Sequence, residues 1–356
     1  MPATQTDIAT SLGISQYVVS NALRGVGRVA PATRERVRRA AREMGYLPNA
    51  AARATRGGRF GTVALLTSTD PMRSGLPHAM LRGIQDTLAD ADIDLVLNRA
   101  PDRELAEGTY IPRFLREHSC DGVLINYTDH LPPGFEESLS DQELPCLWLN
   151  TKRDADCVRP NDLHGGRSAT EVLVRKGYRD IVYADYSHPA EPVEVHYSAR
   201  DREAGYRQAM EAAGLSPRVI RPTGGPVGVT ERTAFSRSWL ERDGCPEAVV
   251  CYSPGTATPI AFAAAMLGFS VPDRLRVGSI NEQAQILMDH DTTLAVVPNR
   301  ATGRLVAERL LEKVDDPSRS FAPIAVPFES PLDYPHWPLS TLFTPDAEGQ
   351  SSRRSP

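Results

Sequence analysis

The strongest constraint on the fold is an alternation of short apolar runs with longer helix-like stretches, which continues from residue 62 to about residue 314. This alternation is typical of parallel sheets covered by helices on both faces. It runs in two rounds within a body of about 270 residues, 61–330, so we expect an α/β body of two doubly wound lobes, with a ligand site at the carboxyl ends of the strands. The predicted strands are 63–66, 94–97, 122–126, 146–149, 180–184, 218–221, 247–251, 275–280 and 293–297, and the predicted helices are 103–117, 164–176, 198–213, 230–241, 256–267 and 299–314.

The first 46 residues have a different pattern, which predicts three short helices. The first, at about 6–12, ends at Gly13, and Ser15 is a natural N-cap for a second helix over 16–23. The turn between these two helices has the length found in a helix-turn-helix. A third helix starts after Pro31, a residue that suits a first helical turn, and runs to about Gly45.

Charge is distributed unevenly along the chain. Residues 1–60 contain ten arginines, no lysine and three acidic residues, a net charge of +7. The rest of the chain therefore carries −12, because the formal net charge is −5. A basic head on an acidic body indicates a polyanionic partner for the head alone, and arginine matches the geometry of phosphate better than lysine does.

Several classes of protein are disfavoured by what the sequence lacks. It contains no apolar run of about 18 residues and no basic segment followed by an apolar one at its start, so we expect a cytoplasmic protein without a membrane partner. The five cysteines form no C-x-x-C pair, which argues against a zinc site. Gly57, Gly58 and Gly61 precede the first strand, whereas the glycines of a dinucleotide-binding fingerprint follow it. The histidines do not have the spacing of metal ligands. We therefore predict no catalytic residues, no metal and no cofactor, and hence no enzyme.

Five stretches of the chain form a recognisable pattern. In the head they are residues 6–20 (TDIATSLGISQYVVS), 28–37 (RVAPATRERV) and 44–53 (MGYLPNAAAR), and in the body they are 198–206 (SARDREAGY) and 292–294 (TTL). These stretches resemble the lactose-repressor (LacI) family of bacterial transcriptional regulators. The similarity covers roughly residues 4–330.

The resemblance implies a regulator, most often a repressor, that binds a pseudo-palindromic operator in double-stranded DNA as a homodimer. It implies that the second helix enters the major groove, that a hinge helix folds in the minor groove, and that a body like a periplasmic sugar-binding protein takes a small-molecule effector. The domains expected from it are a helix-turn-helix head at 1–46, a hinge helix and linker at 47–60, an effector-binding and dimerisation body at 61–330, and a disordered tail at 331–356.

The candidate DNA contacts follow from the resemblance and from side-chain chemistry. Glutamine and asparagine can bridge adenine in the major groove, and hydroxyl groups suit phosphate contacts that position the head. We expect Gln16, Tyr17 and Asn21 to face outward; the alternative is that they are only solvent-facing residues. The full set comprises Thr6, Ser15, Gln16, Tyr17, Ser20, Asn21, Arg28, Asn49, Arg53 and Thr55.

The hinge departs from the family at one position. Relatives place a leucine there that wedges into a central base step and kinks the duplex, whereas this chain has Thr55. Threonine is smaller, polar and a weaker helix former. Wedge insertion trades unstacking energy for a bent site with more contacts. We therefore predict either a weaker kink or the use of Ala54 and Thr55 as a shallow wedge.

The effector site departs further. The resemblance predicts Arg73, Asn150, Arg200, Ser253 and Asn281 as effector-binding residues. The position of the family's ligand aspartate holds Ile280, which cannot accept hydroxyl hydrogen bonds. A simple hexose or pentose is therefore disfavoured, which leaves a sugar-like compound, another sugar or an anionic metabolite. Two alternatives stay open: a solute-binding protein, and a DNA-binding regulator that needs no effector.

Overall fold

The chain divides into two compact units, Met1–Gly61 and Thr62–Pro356. The computed structural model describes residues 3–46, 59–69, 74–107, 109–127, 139, 143–187, 195–222, 224, 226, 228–288 and 290–330.

In the first unit, residues 3–46 form three helices around a small core. Thr4 and Asp7 cap the first helix reciprocally, and Gly13 ends it in the left-handed conformation with φ of 66°. The Ser15 side chain accepts a hydrogen bond from the Val18 amide at the start of the second helix. The core comprises Ile8, Ala9, Val19, Ala22, Val37, Ala40 and Ala41. The helices are α1 (Gln5–Leu12), α2 (Gln16–Arg24) and α3 (Pro31–Glu43).

The second unit begins with a lobe built on a six-stranded sheet in which the described pairs are all parallel. The strands are β1 (Thr62–Ser68), β2 (Asp94–Ala100), β3 (Gly122–Asn126), β4 (Cys146–Leu149), β5 (Cys157–Pro160) and β13 (Ile324–Val326). The strand order is β13-β5-β4-β3-β1-β2. The helices of this lobe are α4 (His78–Asp90), α5 (Asp102–Ala106), α6 (Arg113–Arg116) and α11 (Asn299–Asp315).

The other lobe is built on a five-stranded parallel sheet. Its strands are β6 (Ile181–Ala184), β7 (Arg218–Ile220), β8 (Ala248–Cys251), β9 (Arg276–Asn281) and β12 (Thr293–Val296), in the order β12-β9-β8-β6-β7. A small hairpin pairs β10 (Ile286–Leu287) with β11 (His290–Asp291). Its helices are α7 (Asp162–Arg175), α8 (Tyr197–Ala212), α9 (Val229–Asp243) and α10 (Pro254–Met266). The predicted two-lobed α/β body is confirmed.

The predicted helix over 103–117 is wrong. The chain forms two short helices there, α5 and α6, because Pro112 stands between them and cannot continue a helix. Helix α4 is missing from the sequence prediction, although Met80, Ile84 and Leu88 have the i, i+4, i+8 spacing of a buried stripe. The short strands β5 and β13 at one side of the first sheet were also not predicted, because runs of three or four residues give little periodic signal.

Helices α7 and α8 approach each other closely through two glycines. A Cβ on Gly166 would lie 2.0 Å from the Arg202 carbonyl oxygen, and one on Gly205 would lie 2.1 Å from the Leu163 carbonyl oxygen. Any larger residue must therefore push the two backbones apart. This contact fixes the position of the first turns of α8, from which Arg202 projects.

We predict that Gly166→Ala lowers the free energy of unfolding by about 3 kcal/mol, the upper end for overpacking a core, because the obstacle is backbone. Gly255 in the first turn of α10 is the matched control, since its nearest neighbour is the end of the flexible Arg232 side chain at 3.3 Å. Gly255→Ala should leave the unfolding free energy unchanged or raise it slightly. Chemical denaturation of both variants measures the difference, and equal effects would contradict the argument.

Candidate DNA-reading helix and effector cleft

The first turn of α2 presents two large polar side chains to solvent. Gln16 is exposed, and Tyr17 is 73% exposed even though most of its ring is apolar. On the opposite side of the same helix, Val19 and Ala22 are buried in the core of the head. The helix therefore holds its inner face fixed while its N-terminal residues are available to a partner. A helix N-terminus also carries a partial positive charge that suits phosphate.

Asn21 does not face outward, so that prediction is wrong. On a helix it lies about 40° around the axis from Tyr17, yet its side chain is only 6% exposed. The loop that follows α2 covers it: a Cβ on Gly27 would lie 3.1 Å from the Asn21 amide nitrogen. Gly27 has a φ of 72°, a conformation that strongly favours glycine. Asn21 therefore packs against the loop and is not presented for base contact.

The other candidate DNA contacts are distributed around this helix. Thr6 is exposed on α1, Ser20 is half-buried on α2, and Arg28 is exposed in the loop after α2. Ser15 uses its hydroxyl to cap α2, at 3.3 Å from the Val18 nitrogen. Three further candidates lie outside the described residues, namely Asn49, Arg53 and Thr55.

The body contains a cleft of about 710 Å3 between its two lobes. The structure brings three of the predicted effector residues to its walls: Asn150 from the first lobe, and Ser253 and Asn281 from the second. This volume is in the range of small-molecule sites. Arg73 lies outside the described residues.

Arg200 is not a cleft residue, so that prediction is wrong. Its side chain is exposed and does not line the cavity. The arginine in the cleft is Arg202, two positions further along α8. Residues two apart on a helix point about 200° apart, so one of the two must face solvent when the other faces the cleft. The sequence signal that could have decided between them is the stripe of Ala199, Arg202 and Tyr206, all buried.

Arg202 is held in a dense set of contacts. Its Nε donates to Asp162 Oδ1 at 2.7 Å, and its Nη1 donates to the Tyr252 carbonyl oxygen at 2.9 Å. The guanidinium also lies 4.6 Å from the centroid of the Tyr252 ring. The neighbouring Asp162 carboxylate favours the charged form and raises the pKa of Arg202 although burial opposes it. Arg202 is therefore permanently charged, and the Asp162 carboxylate balances its charge.

A second cluster joins the two lobes beside the cleft. His196 Nε2 donates to the Asn150 carbonyl oxygen at 3.1 Å, while its Nδ1 accepts from the Ser198 hydroxyl at 2.7 Å. Tyr197 donates to the Asn150 side-chain oxygen at 3.3 Å. Burial lowers the pKa of His196. These contacts fit a neutral imidazole with its proton on Nε2.

The second-lobe wall of the cleft is only partly polar. Asn281 lines it but is 2% exposed, and its side chain accepts from the Ser279 hydroxyl at 2.6 Å and donates to the Thr293 hydroxyl at 3.3 Å. Ser253 makes no side-chain cap to α10. Ile280 and Val297 add apolar surface to the same wall.

Metal sites and membrane-spanning helices are both absent from the described part of the chain. Within the described residues, no group of three or more His, Cys, Asp or Glu side chains could hold a metal ion. Among these residues there is also no helix long and apolar enough to cross a membrane.

Comparisons with known proteins agree with the two-part architecture. Residues 4–49 match the model of bacterial regulatory proteins of the lacI family, and residues 170–330 match a periplasmic binding protein-like domain. The regulator CelR of Thermobifida fusca is 26% identical over 88% of this chain and 93% of its own length. The repressor PurR of Vibrio campbellii is 27% identical over 88% of this chain and 92% of its own.

The solved structures most relevant to the fold are also regulators. A lac repressor dimer bound to operator and an anti-inducer has a TM-score of 0.71 at 19% identity, with 92% of this chain and 97% of that chain covered. A CelR–cellobiose complex has a TM-score of 0.57 at 22% identity, with 92% and 98% covered.

The fold and the two sites define a DNA-binding transcriptional regulator with a ligand-binding body. The chain belongs to the LacI family of bacterial regulatory proteins. The curated relatives named above are transcription regulators and not enzymes.

The buried position of Asn21 yields a prediction about base preference. Gln16→Ala should remove the preference for one base at one base-pair position of the operator, because this side chain is exposed at the start of α2. A good bidentate contact to a base contributes about 1–3 kcal/mol of discrimination against the wrong base. Asn21→Ala should weaken binding by a similar factor for all sequences, because it loosens the loop that carries Arg28. Binding of each variant to a set of single-base operator variants measures both profiles. A base-specific loss in Asn21→Ala would contradict the burial argument.

Proposed function

We propose that the protein is a transcriptional repressor that binds a pseudo-palindromic operator as a homodimer, and whose affinity for DNA depends on a small molecule in the interlobe cleft. The observation that carries this proposal is the pairing, in one chain, of an exposed α2 N-terminus bearing Gln16 and Tyr17 with a two-lobed body that encloses a cleft. Relatives named as repressors, including PurR and the ribose operon repressor of Escherichia coli, support repression as the mode of action.

Charge supports the DNA-binding part of the proposal. The helix α3 exposes Arg36, Arg38, Arg39 and Arg42, and the ion pairs that two of them form, Arg42 with Glu35 and Arg39 with Glu43, are mostly solvent-exposed. Exposed pairs of this kind contribute little stability, so the arginines act chiefly through the positive field of the head. That field attracts the phosphate backbone and makes affinity fall steeply with salt. In this proposal the hinge residues Asn49, Arg53 and Thr55 contact the minor groove.

Exposed apolar side chains support a dimer. Helix α10 exposes Phe262 (43%) and Met266 (65%), and the β10–β11 hairpin exposes Ile286 (57%) and Met288 (42%). Leu287, between these two hairpin residues, packs into the same core cluster as α10, so the helix and the hairpin are neighbours in the fold. Exposed apolar side chains on neighbouring elements favour an interaction site there. The relative solved as a dimer on operator DNA is the lac repressor.

The geometry of the body supports control by a ligand. The chain crosses between lobes after β5 and again after β12, so both lobes line the cleft and a bound molecule touches both. A ligand that contacts both lobes changes the equilibrium between their open and closed arrangements by its differential affinity for them. The CelR structure named above is a complex with cellobiose.

Selection from a randomised DNA pool at near-physiological salt tests the proposed function. We expect recovery of a pseudo-palindrome, with half-sites one helical turn or a multiple apart, as a two-fold dimer requires. Affinity for the recovered site should fall steeply as salt rises, and Tyr17→Ala should reduce it by at least tenfold. Recovery of no motif, or binding that does not depend on salt, would contradict sequence-specific regulation.

The dimer surface yields a separate prediction. Met266→Lys places a charge on the exposed face of α10, so we expect the sedimentation coefficient to change from that of a dimer to that of a monomer, and operator affinity to fall by at least tenfold. Val229, at the start of α9, is 57% exposed and apolar, and Val229→Lys is the matched control that should leave both quantities unchanged. A dimer that tolerates Met266→Lys would exclude this surface as the interface.

A further inference from the structure

The first turn of α8 makes an ion pair with the first lobe. Lys152, in the loop after β4, donates to Asp201 Oδ1 on α8 at 2.7 Å. The lysine side chain is 47% exposed, but the aspartate is only 17% exposed, so one partner is largely shielded from solvent. Salt screens a partly buried pair less than a pair of exposed side chains. This ion pair therefore stabilises one particular arrangement of the two lobes.

The ring of Tyr197 adds two cation–π contacts across the same boundary. The Nζ of Lys152 lies 5.5 Å from the centroid of this ring, and the guanidinium of Arg159, on β5, lies 5.6 Å from it. A cation within about 6 Å of an aromatic centroid is attracted to the ring. Tyr197 belongs to the second lobe and both cations belong to the first. Separation of the lobes at this point would therefore break both contacts together with the ion pair.

Two hydrogen bonds complete this set of contacts, and both end on Asn150 of the first lobe. Its carbonyl oxygen accepts from His196 Nε2 at 3.1 Å, and its side-chain oxygen accepts from the Tyr197 hydroxyl at 3.3 Å. The backbone amide of Asn150 donates to the Val158 carbonyl oxygen at 3.0 Å, so the first lobe holds this acceptor in place. The interlobe latch is defined here as these six residues, namely Asn150, Lys152, Arg159, His196, Tyr197 and Asp201.

The latch joins the lobe that follows the head to the lobe that carries the proposed dimer surface. The head ends at Gly61, and the chain continues directly into β1 of the first lobe. The exposed apolar side chains of α10 and of the β10–β11 hairpin belong to the second lobe. In a dimer held through the second lobes, the arrangement of the lobes therefore sets the spacing between the two heads. An operator with two half-sites requires one fixed spacing.

We infer that the interlobe latch holds the body in the arrangement that binds the operator, and that it does so through contacts which the chain itself supplies. A body held in one arrangement presents its two heads at one spacing. Ordering the heads on DNA then costs less entropy than it would for lobes that move freely, and preorganisation of this kind raises affinity. The inference rests on the proposed function, because it concerns the control of the same operator-binding dimer.

Charge reversal in the full-length protein tests the latch, with the operator recovered by selection as the probe. Lys152→Asp and Asp201→Lys each replace an attraction with a repulsion, so each should weaken operator binding by at least tenfold. The double variant restores opposite charges and should return the affinity to within threefold of the wild type. Arg237→Asp is the matched control, because it makes the same change of charge within an exposed pair of α9. It should alter the affinity by less than twofold.

DNA that carries a single half-site separates an effect on head spacing from an effect on the head itself. One head is sufficient to bind this DNA, so each variant should bind it within twofold of the wild type. Sedimentation should show a dimer for every variant, and the melting temperature shows whether each variant folds. Lys152→Met keeps most of the side-chain length and removes only the charge. This milder variant should weaken binding to the full operator by at least threefold.

Four outcomes would overturn the inference. They are folded single variants that keep the full operator affinity, a double variant as weak as the single variants, an equal loss of affinity for the half-site and the full operator, and a loss of the dimer. None of these affects the DNA-binding proposal. That proposal fails instead if selection from random DNA recovers no motif, so the two failures are distinguishable.

Discussion

The body of this regulator depends on one close approach, the contact of α7 and α8 through Gly166 and Gly205. Because both glycines lack a side chain, the backbones meet, and Arg202 on α8 reaches Asp162 at the first turn of α7. Asp162 follows directly on the crossing between the lobes after β5. The ion pair therefore lies where the lobes join. The close packing of α7 against α8 links the stability of the second lobe, the shape of the cleft and the balanced charge of Arg202.

Much of the architecture could be predicted from local signals. In the head, Gly13 and Ser15 mark the end of one helix and the start of the next, and both perform those roles in the structure. In the body, the alternation of strands and helices was sufficient to predict two parallel sheets. The errors fall where local signals are weak: the broken helix before Glu117, the short strands β5 and β13, and α4, whose Gly83 obscures an otherwise regular stripe.

The sites were less predictable than the fold, because they depend on tertiary contacts. The position of Asn21 on α2 predicts an outward side chain. The loop that contains Gly27 folds back over this side chain and covers it. Arg200 and Arg202 are two positions apart and lie on opposite faces of α8. Choosing the wrong one of the two as the family's ligand arginine therefore places the predicted effector contact on the wrong face of the helix. No local pattern reveals that Asn299, about 150 residues after Asn150, lines the same cleft, since that proximity arises from the second crossing between the lobes.

The arrangement of α2 has a consequence for how such a regulator diversifies. Its exposed side chains at Gln16 and Tyr17 occupy one helical turn and take no part in the core of the head, whereas Asn21 is committed to packing. Two neighbouring codons can therefore vary with little penalty in folding, while a third is constrained. Duplicated copies of the gene could acquire separate sets of target promoters through changes in that short stretch, and retain the same body and the same responsiveness to metabolites.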